Sequence, residues 1–177
     1  QILASMNQTQ EALNFLGKAE AMEPNNYEIL MSRGAVYSQM GLSEQAIENF
    51  KLALPIAEFQ DEVYLNVAFE FENTSLYGDA IFYLKKAIEV NPKNEAAIYE
   101  LSFCYEISSE KEEAVTFFSE FVDKHPYNET GWFNLGISYN RKGEFEKALE
   151  AYDYALVIKE DFSSAYFNKA NSLANLN

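Results

Sequence analysis

The sequence has little of the chemistry that catalytic and metal sites use, since its 177 residues include one cysteine and one histidine. One cysteine cannot form an internal disulfide, and a lone histidine has no second ligand with which to bind zinc. We therefore expect Cys104 to be a small buried filler and His125 to be a loop residue. The seven glycines are scattered and form no phosphate-binding loop. We expect no cofactor and no enzymatic activity.

Basic residues are also scarce, with 13 Lys and Arg against 28 Asp and Glu and a net charge of −15. Such a surface repels phosphate backbones, so nucleic acid is not an expected partner. No apolar run approaches the length of about 18 residues that a membrane helix needs, so no membrane insertion is expected. The sequence opens at Gln1 without a signal-peptide pattern, and we expect any targeting segment to be missing from it. It therefore assigns no cellular compartment, although it favours the cytoplasm.

What the sequence does contain is a period of 34 residues, which is typical of a repeat array. Alanine recurs at this spacing at Ala12, Ala46, Ala80, Ala114 and Ala148. We number positions within the repeat from residues 27, 61, 95, 129 and 163. Aromatic side chains then recur at position 11, where the full repeats have Tyr37, Phe71, Tyr105 and Tyr139.

Each repeat has the pattern of a helical hairpin. In residues 129–162, apolar side chains recur at three- and four-residue spacing on both sides of Gly143, which indicates two helices. Arg141 and Lys142 precede that glycine, as expected where a helix ends. Proline at position 32 of several repeats, as in Pro92 and Pro126, marks a second turn. We name the two helices of a repeat helix A and helix B.

The segment Trp132–Tyr139 reads Trp-x2-Leu-Gly-x2-Tyr, and Ala148, Tyr152 and Ala155 follow it. These residues resemble the tetratricopeptide repeat family. The resemblance implies an all-α fold, a right-handed α-solenoid of antiparallel helix pairs that forms a superhelix. We expect a single array over residues 1–177, divided as follows. Residues 1–26 end a preceding repeat, residues 27–60, 61–94, 95–128 and 129–162 are full repeats, and residues 163–177 are helix A of a following repeat. We expect this array to be part of a longer one.

Several residues depart from the family pattern. Pro55, late in a helix B, predicts an early end or a kink. Ser75 and Ser109 replace the glycine of the turn between helices A and B, which predicts less favourable turns. Phe121 replaces a small residue at position 27 and is expected to widen the stack. Arg33 replaces a leucine, and its head group is expected to reach solvent or a carboxylate.

In the tetratricopeptide repeat family, helices A line a concave groove, and positions 2, 5, 6, 9, 12 and 13 face into it. Carried over to this sequence, the resemblance implies an aromatic groove flanked by carboxylates that favour Lys or Arg on a partner. Asparagines at position 6 would bond a peptide backbone. The alternative is that these aromatics only pack on adjacent helices. The candidate residues are Leu65, Asn66, Phe69, Tyr99, Glu100, Phe103, Glu106, Phe133, Asn134, Ile137, Phe167 and Asn168.

Three functions remain open on the sequence. The first is a non-catalytic scaffold or adaptor that binds a partner protein or peptide with basic and apolar residues. The second is a structural scaffold that self-associates through its open repeat ends. The third is the regulatory arm of a larger enzyme. A family subtype that clamps a terminal carboxylate with lysine at position 5 is argued against, because no residue at position 5 is basic.

Overall fold

The computed structural model describes residues 2–176, and their side chains from residue 8 onward. Throughout this range the secondary structure is helical, with ten α-helices and one short 3₁₀ helix at Leu54–Ile56. The α-helices are α1 Ile2–Met22, α2 Tyr27–Gln39, α3 Ser43–Ala53, α4 Gln60–Asn73, α5 Tyr77–Val90, α6 Glu95–Ile107, α7 Lys111–Lys124, α8 Glu129–Lys142, α9 Phe145–Ile158 and α10 Ser163–Asn175. The fold is therefore an all-α helical-repeat solenoid.

The chain forms two compact units, one ending at Asn91 and the other beginning at Pro92. The first contains α1 to α5, and the second contains α6 to α10. In each unit, helices A (α2, α4, α6, α8, α10) alternate along the chain with helices B (α1, α3, α5, α7, α9). None of the helices in residues 2–176 combines the length and the hydropathy of a membrane-spanning segment.

Asparagine begins three of the helices A. The residue before α2, α6 and α8 is an asparagine whose side-chain oxygen accepts a backbone N–H of the first turn, which satisfies a donor that the helix leaves free. The three bonds are Ile29 N to Asn26 (3.2 Å), Ala97 N to Asn94 (3.0 Å) and Gly131 N to Asn128 (2.7 Å). These caps follow the Pro-x-Asn segments of the sequence, and they set where helix A begins.

The turn from helix A to helix B needs one residue in the left-handed backbone region. Gly41 and Gly143 supply it with φ of 70° and 79°. Ser75 and Ser109 adopt the same conformation with φ of 61° and 62°. An L-residue in this region crowds its Cβ against the backbone at a cost of roughly 1–2 kcal/mol. The expectation that serine makes these two turns less favourable is consistent with this geometry.

Pro55 ends its helix early, as expected. Helix α3 spans 11 residues and stops at Ala53, whereas α5, α7 and α9 each span 14 residues. The chain continues through Leu54–Ile56 as a 3₁₀ helix with the proline in its first turn. Proline lacks the N–H that would continue the α-helical bonding, so the helix ends here.

The core of the first unit lies between helices A and B at the small positions of the repeat. Ala46, Phe50, Val63 and Val67 are buried together. The ring of Phe50 lies so close to Gly34 that a Cβ built on the glycine would meet it at 2.3 Å. Such a contact requires glycine or a displaced ring. It therefore sets how closely α2 and α3 approach each other.

Two charged residues of the first unit occupy positions where the family has apolar or small ones. The head group of Arg33 forms an ion pair with Glu20 on α1, which confirms that it reaches a carboxylate. Glu70 lies on α4 at position 10 of its repeat and is 2% exposed. Its Oε2 accepts no hydrogen bond from the described residues. A buried carboxylate oxygen without a donor destabilises the fold, and nothing in the structure explains this residue.

The core of the second unit has the same plan. Phe133, Ala148, Tyr152, Ala155, Phe162 and Ala165 form one buried cluster. A Cβ on Gly136 would meet the Tyr152 ring at 2.4 Å, as in the contact of Gly34 with Phe50. Glycine at position 8 therefore lies under an aromatic ring at position 24 in both units.

Phe121 is accommodated by a neighbouring glycine. Its ring is buried and lies over Gly131, where a Cβ would meet it at 2.6 Å. Position 3 holds a larger residue in the other repeats, so the bulky Phe121 is matched by a missing side chain on α8. The small Gly131 leaves space for the large Phe121 ring, so the ring fits between α7 and α8. The expectation that Phe121 widens the stack did not include this glycine.

The close contact at Gly136 predicts a specific loss of stability. We expect Gly136→Ala to lower the free energy of unfolding by about 1–3 kcal/mol, because the methyl group must displace the Tyr152 ring. Gly17→Ala in α1 is the control, since no atom lies within 4 Å of a Cβ there. It should raise the stability by about 0.5–1 kcal/mol through helix propensity. Urea denaturation followed by circular dichroism measures both, and a neutral Gly136→Ala would contradict the packing.

The serines with left-handed backbone conformation predict that a substitution by glycine raises the stability. We expect Ser109→Gly to raise the free energy of unfolding by about 0.5–1 kcal/mol, because glycine removes the Cβ clash at the cost of some backbone entropy. Gly143→Ser makes the reverse exchange at the equivalent turn of another repeat. It should lower the free energy of unfolding by a similar amount. Thermal melts of the two variants test this, and equal signs would show that φ does not control these turns.

Candidate functional site

Helix α6 of the second unit is apolar on two sides. Its buried side holds Ala97, Ile98, Leu101 and Tyr105, which lie in the interior of the hairpin. Its other side presents Tyr99, Phe103 and Ile107, which are 36%, 42% and 48% exposed. We name these three residues, spaced by four, the α6 face. A solvated helix normally carries polar residues opposite its buried stripe, so this face is a candidate for an interaction surface.

Tyr99 is held in place from two sides. Its ring contacts that of Phe133 edge to face, with the centroids 6.1 Å apart. Burial raises the pKa of Tyr99 above its usual value, and a hydrogen bond with the Thr130 side chain lowers it in part. Both contacts join α6 to α8. They leave one surface of a fixed ring exposed, which suits it to binding because little rotamer freedom remains to be lost.

Arg141 braces α6 against α8. Its guanidinium donates a hydrogen bond of 3.0 Å to the Ser102 carbonyl and forms an ion pair with Glu106. Burial lowers the pKa of Arg141, and Glu106 offsets this in part. Arg141 lies at position 13 and is the one basic residue at the groove positions of the family pattern, and it is thus engaged within the unit. Glu106, predicted to attract a partner's cation, is already paired.

Glu100 lies next to the α6 face, and no described residue forms an ion pair with its carboxylate. It lies half-buried on α6, three residues before Phe103 and seven before Ile107. Side chains at these spacings share one side of a helix. A single ligand can therefore place an apolar side chain on the α6 face and a cationic group beside the Glu100 carboxylate.

Phe133 and Asn134 of α8 are interior residues in this structure. Phe133 is 5% exposed and contacts Tyr152 and Phe162, and Asn134 is fully buried. The Asn134 amide donates to the Thr130 carbonyl at 2.8 Å, and its oxygen accepts no hydrogen bond from the described residues. These two side chains are thus removed from the candidate contact surface, because the core already covers them.

Position-6 asparagines make one recurring bond. Asn66, Asn134 and Asn168 each donate their amide to the carbonyl four residues earlier, at 2.8, 2.8 and 2.9 Å. One amide hydrogen is therefore used within the helix. At Asn66 and Asn168 the amide oxygen and the second hydrogen stay available at the surface.

The remaining predicted residues lie on three other helices A. In the second unit, Ile137 is half-buried against the core cluster, and Phe167 on α10 is 68% exposed. In the first unit, Leu65 and Phe69 are half-buried on α4, one turn apart. Among the described residues there is no group of three His, Cys, Asp or Glu side chains placed to hold a metal ion.

Models of known families identify the repeats. Tetratricopeptide-repeat models match residues 27–58, 61–94 and 130–162, which together make up more than half of the chain. The chain belongs to the tetratricopeptide repeat (TPR) family. The matched ranges leave out residues 95–128, the segment that contains α6, Ser109 and Phe121. A search of curated proteins gave no significant match.

Solved TPR structures share the fold. The crystal structure of MamA is 24% identical, with a TM-score of 0.61 over 89% of this chain and 92% of that one. That of YrrB, described as a TPR protein with an unusual peptide-binding site, is 25% identical, with a TM-score of 0.61 over 96% and 87%. The C-terminal part of a TPR protein from Cytophaga hutchinsonii is 15% identical, with a TM-score of 0.69 over 99% and 69%.

One residue of the TPR surface was missed from the sequence. Ile107 lies at position 13, a groove position in the family, and it extends the stripe of Tyr99 and Phe103 by one turn. Its spacing of four from Phe103 was a sufficient signal. The ion pair of Arg141 with Glu106 had no comparable signal, because it depends on which side chains of two helices meet.

The burial of Asn134 predicts that a substitution there costs more stability than the same substitution at the more exposed Asn168. We expect Asn134→Asp to lower the free energy of unfolding by at least about 2 kcal/mol, because a buried carboxylate would replace the amide donor to Thr130. Asn168→Asp removes the same bond at the surface and should change stability by less than about 0.5 kcal/mol. Urea denaturation of both measures the difference, and equal losses would contradict the burial of Asn134.

Proposed function

We propose that this TPR protein is a non-catalytic adaptor that binds a segment of a partner protein on the α6 face. The observation that supports the proposal is the side of α6 formed by Tyr99, Phe103 and Ile107, which is apolar and exposed on a helix whose other side is buried. TPR proteins in general are interaction scaffolds. YrrB, the relative described by its peptide-binding site, has the same fold.

The chemistry of the partner follows from the charges around this face. The chain carries a net charge of −15, and Glu100 lies beside Phe103 without a paired cation among the described residues. A partner with a lysine or arginine next to an aliphatic or aromatic side chain satisfies both groups. An acidic segment is disfavoured because it would bring like charges together.

The mode of binding follows from rigidity. Tyr99 is held by Phe133 and Thr130, and α6 is tied to α8 by Arg141. The surface is therefore largely formed before a ligand arrives. Most of the conformational entropy that is lost on binding is lost by the partner segment. Micromolar affinity, about −8 kcal/mol, is the expected range for such a contact.

Phe103 is the residue whose removal tests the adaptor proposal. We would select short peptides from a random displayed library on the immobilised 177-residue protein. We would then measure the affinity of the enriched peptides by fluorescence anisotropy. Enriched sequences should combine Lys or Arg with apolar residues. Phe103→Ala should weaken their binding by about tenfold or more, because the side chain is a central anchor.

Two further variants make the result specific. Phe82→Ala is the matched control, since Phe82 is 55% exposed on α5, a helix B of the other unit, and its loss should leave affinity unchanged. Glu100→Lys should weaken basic peptides and spare uncharged ones. Peptides that bind Phe103→Ala as tightly as the wild type would place the binding site elsewhere and refute the proposal.

A further inference from the structure

Helix α6 differs from other helices A at the position that would bond a peptide backbone. At position 6, α4, α8 and α10 carry Asn66, Asn134 and Asn168, whereas α6 carries Glu100. A carboxamide offers a donor and an acceptor, but an ionised carboxylate only accepts. On α8, which packs beside α6, the Asn134 side chain is fully buried. A ligand on the α6 face therefore meets no accessible carboxamide at position 6 of either helix.

The side-chain donors beside the α6 face already have partners within the unit. The Tyr99 hydroxyl forms a hydrogen bond with the Thr130 side chain. The Arg141 guanidinium donates to the Ser102 carbonyl and forms an ion pair with Glu106. The other two side chains of the α6 face are hydrocarbon and form no hydrogen bonds. What the face offers a ligand is therefore apolar contact with one carboxylate beside it.

An extended segment is a poor match for such a face. Its backbone N–H and C=O groups that turn toward the face lose water without gaining a partner. Addition of a strand needs the open edge of a sheet, and the secondary structure of residues 2–176 is helical throughout. A helix bonds its own N–H and C=O groups within the segment, so it needs only a matching apolar stripe.

The shape of the α6 face matches a second helix. Tyr99, Phe103 and Ile107 are spaced by four, so they form one ridge that extends over about 12 Å of α6. Ala96 is exposed three residues before Tyr99 and continues the ridge with a small side chain. A ridge of this kind fits between the side chains of a facing helix whose apolar residues recur every three or four positions.

We propose that the α6 face binds an amphipathic α-helix of the partner, with a basic residue beside its apolar stripe. This inference rests on the proposed adaptor function and adds the conformation of the ligand. The apolar stripe packs on Tyr99, Phe103 and Ile107. A Lys or Arg next to the stripe reaches Glu100, with which no described residue forms an ion pair, while its methylene groups lie along the ridge. The net charge of −15 favours the same basic helix.

An alanine scan of the ligand distinguishes a helix from an extended segment. The probes are peptides that are enriched on the 177-residue protein by library selection and whose binding Phe103→Ala weakens. Fluorescence anisotropy should show losses of about tenfold at apolar positions that lie three or four residues apart in the peptide. Losses at every second residue would indicate an extended ligand. They would overturn this inference and leave the adaptor proposal intact.

A backbone substitution in the same peptides tests the conformation directly. α-Aminoisobutyric acid carries two methyl groups on Cα, which restrict the residue to helical angles. At two positions where alanine has no effect, it should tighten binding by about threefold, because it pre-organises the helix. Proline at one such position in the middle of the peptide should weaken binding by at least about tenfold.

The sign of the first effect decides between the two conformations. Weaker binding with α-aminoisobutyric acid would overturn the helical ligand, because an extended segment cannot adopt its required angles without this residue opposing it. Peptides that bind Phe103→Ala as tightly as the wild type would refute the adaptor site itself, and this inference would fail with it.

Discussion

A ring that lies directly over a glycine is the contact on which the hairpins of residues 27–60 and 129–162 depend. Gly34 lies under Phe50, and Gly136 lies under Tyr152, with no room for a Cβ at either place. This approach brings the backbones of helices A and B together and lets the remaining aromatics fill the sides. Because one hairpin cannot bury both of its faces, the next helix A of the same unit packs on it.

The candidate site is a consequence of that packing. Helix B and the neighbouring helices cover part of each helix A and leave one side uncovered. Whether that side is apolar or polar depends on the residues of the repeat. On α6 that side is apolar, and Tyr99 is held in place by its contact with Phe133 of α8. On α8 the corresponding Phe133 and Asn134 are drawn into the core. The same position in the repeat therefore has a different role in two adjacent helices A.

The period predicted the fold and its local exceptions because these depend on residues within one repeat. The early end of α3 at Pro55 and the left-handed turns at Ser75 and Ser109 needed only backbone rules. The burial of Phe133 and the ion pair of Arg141 with Glu106 depend on how neighbouring repeats meet, which a position number does not contain. The glycine that accommodates Phe121 lies in the next repeat, and pairing the two required the structure.

The most direct test of the account is to map where a bound peptide touches the protein. Methyl and amide NMR spectra of the labelled chain, recorded with a basic, apolar peptide selected on it, report each helix separately. The account predicts that shift changes concentrate on α6, at Tyr99, Phe103 and Ile107, and at their contacts on α8. Changes centred on helices B such as α5 or α9, with α6 unaffected, would contradict it.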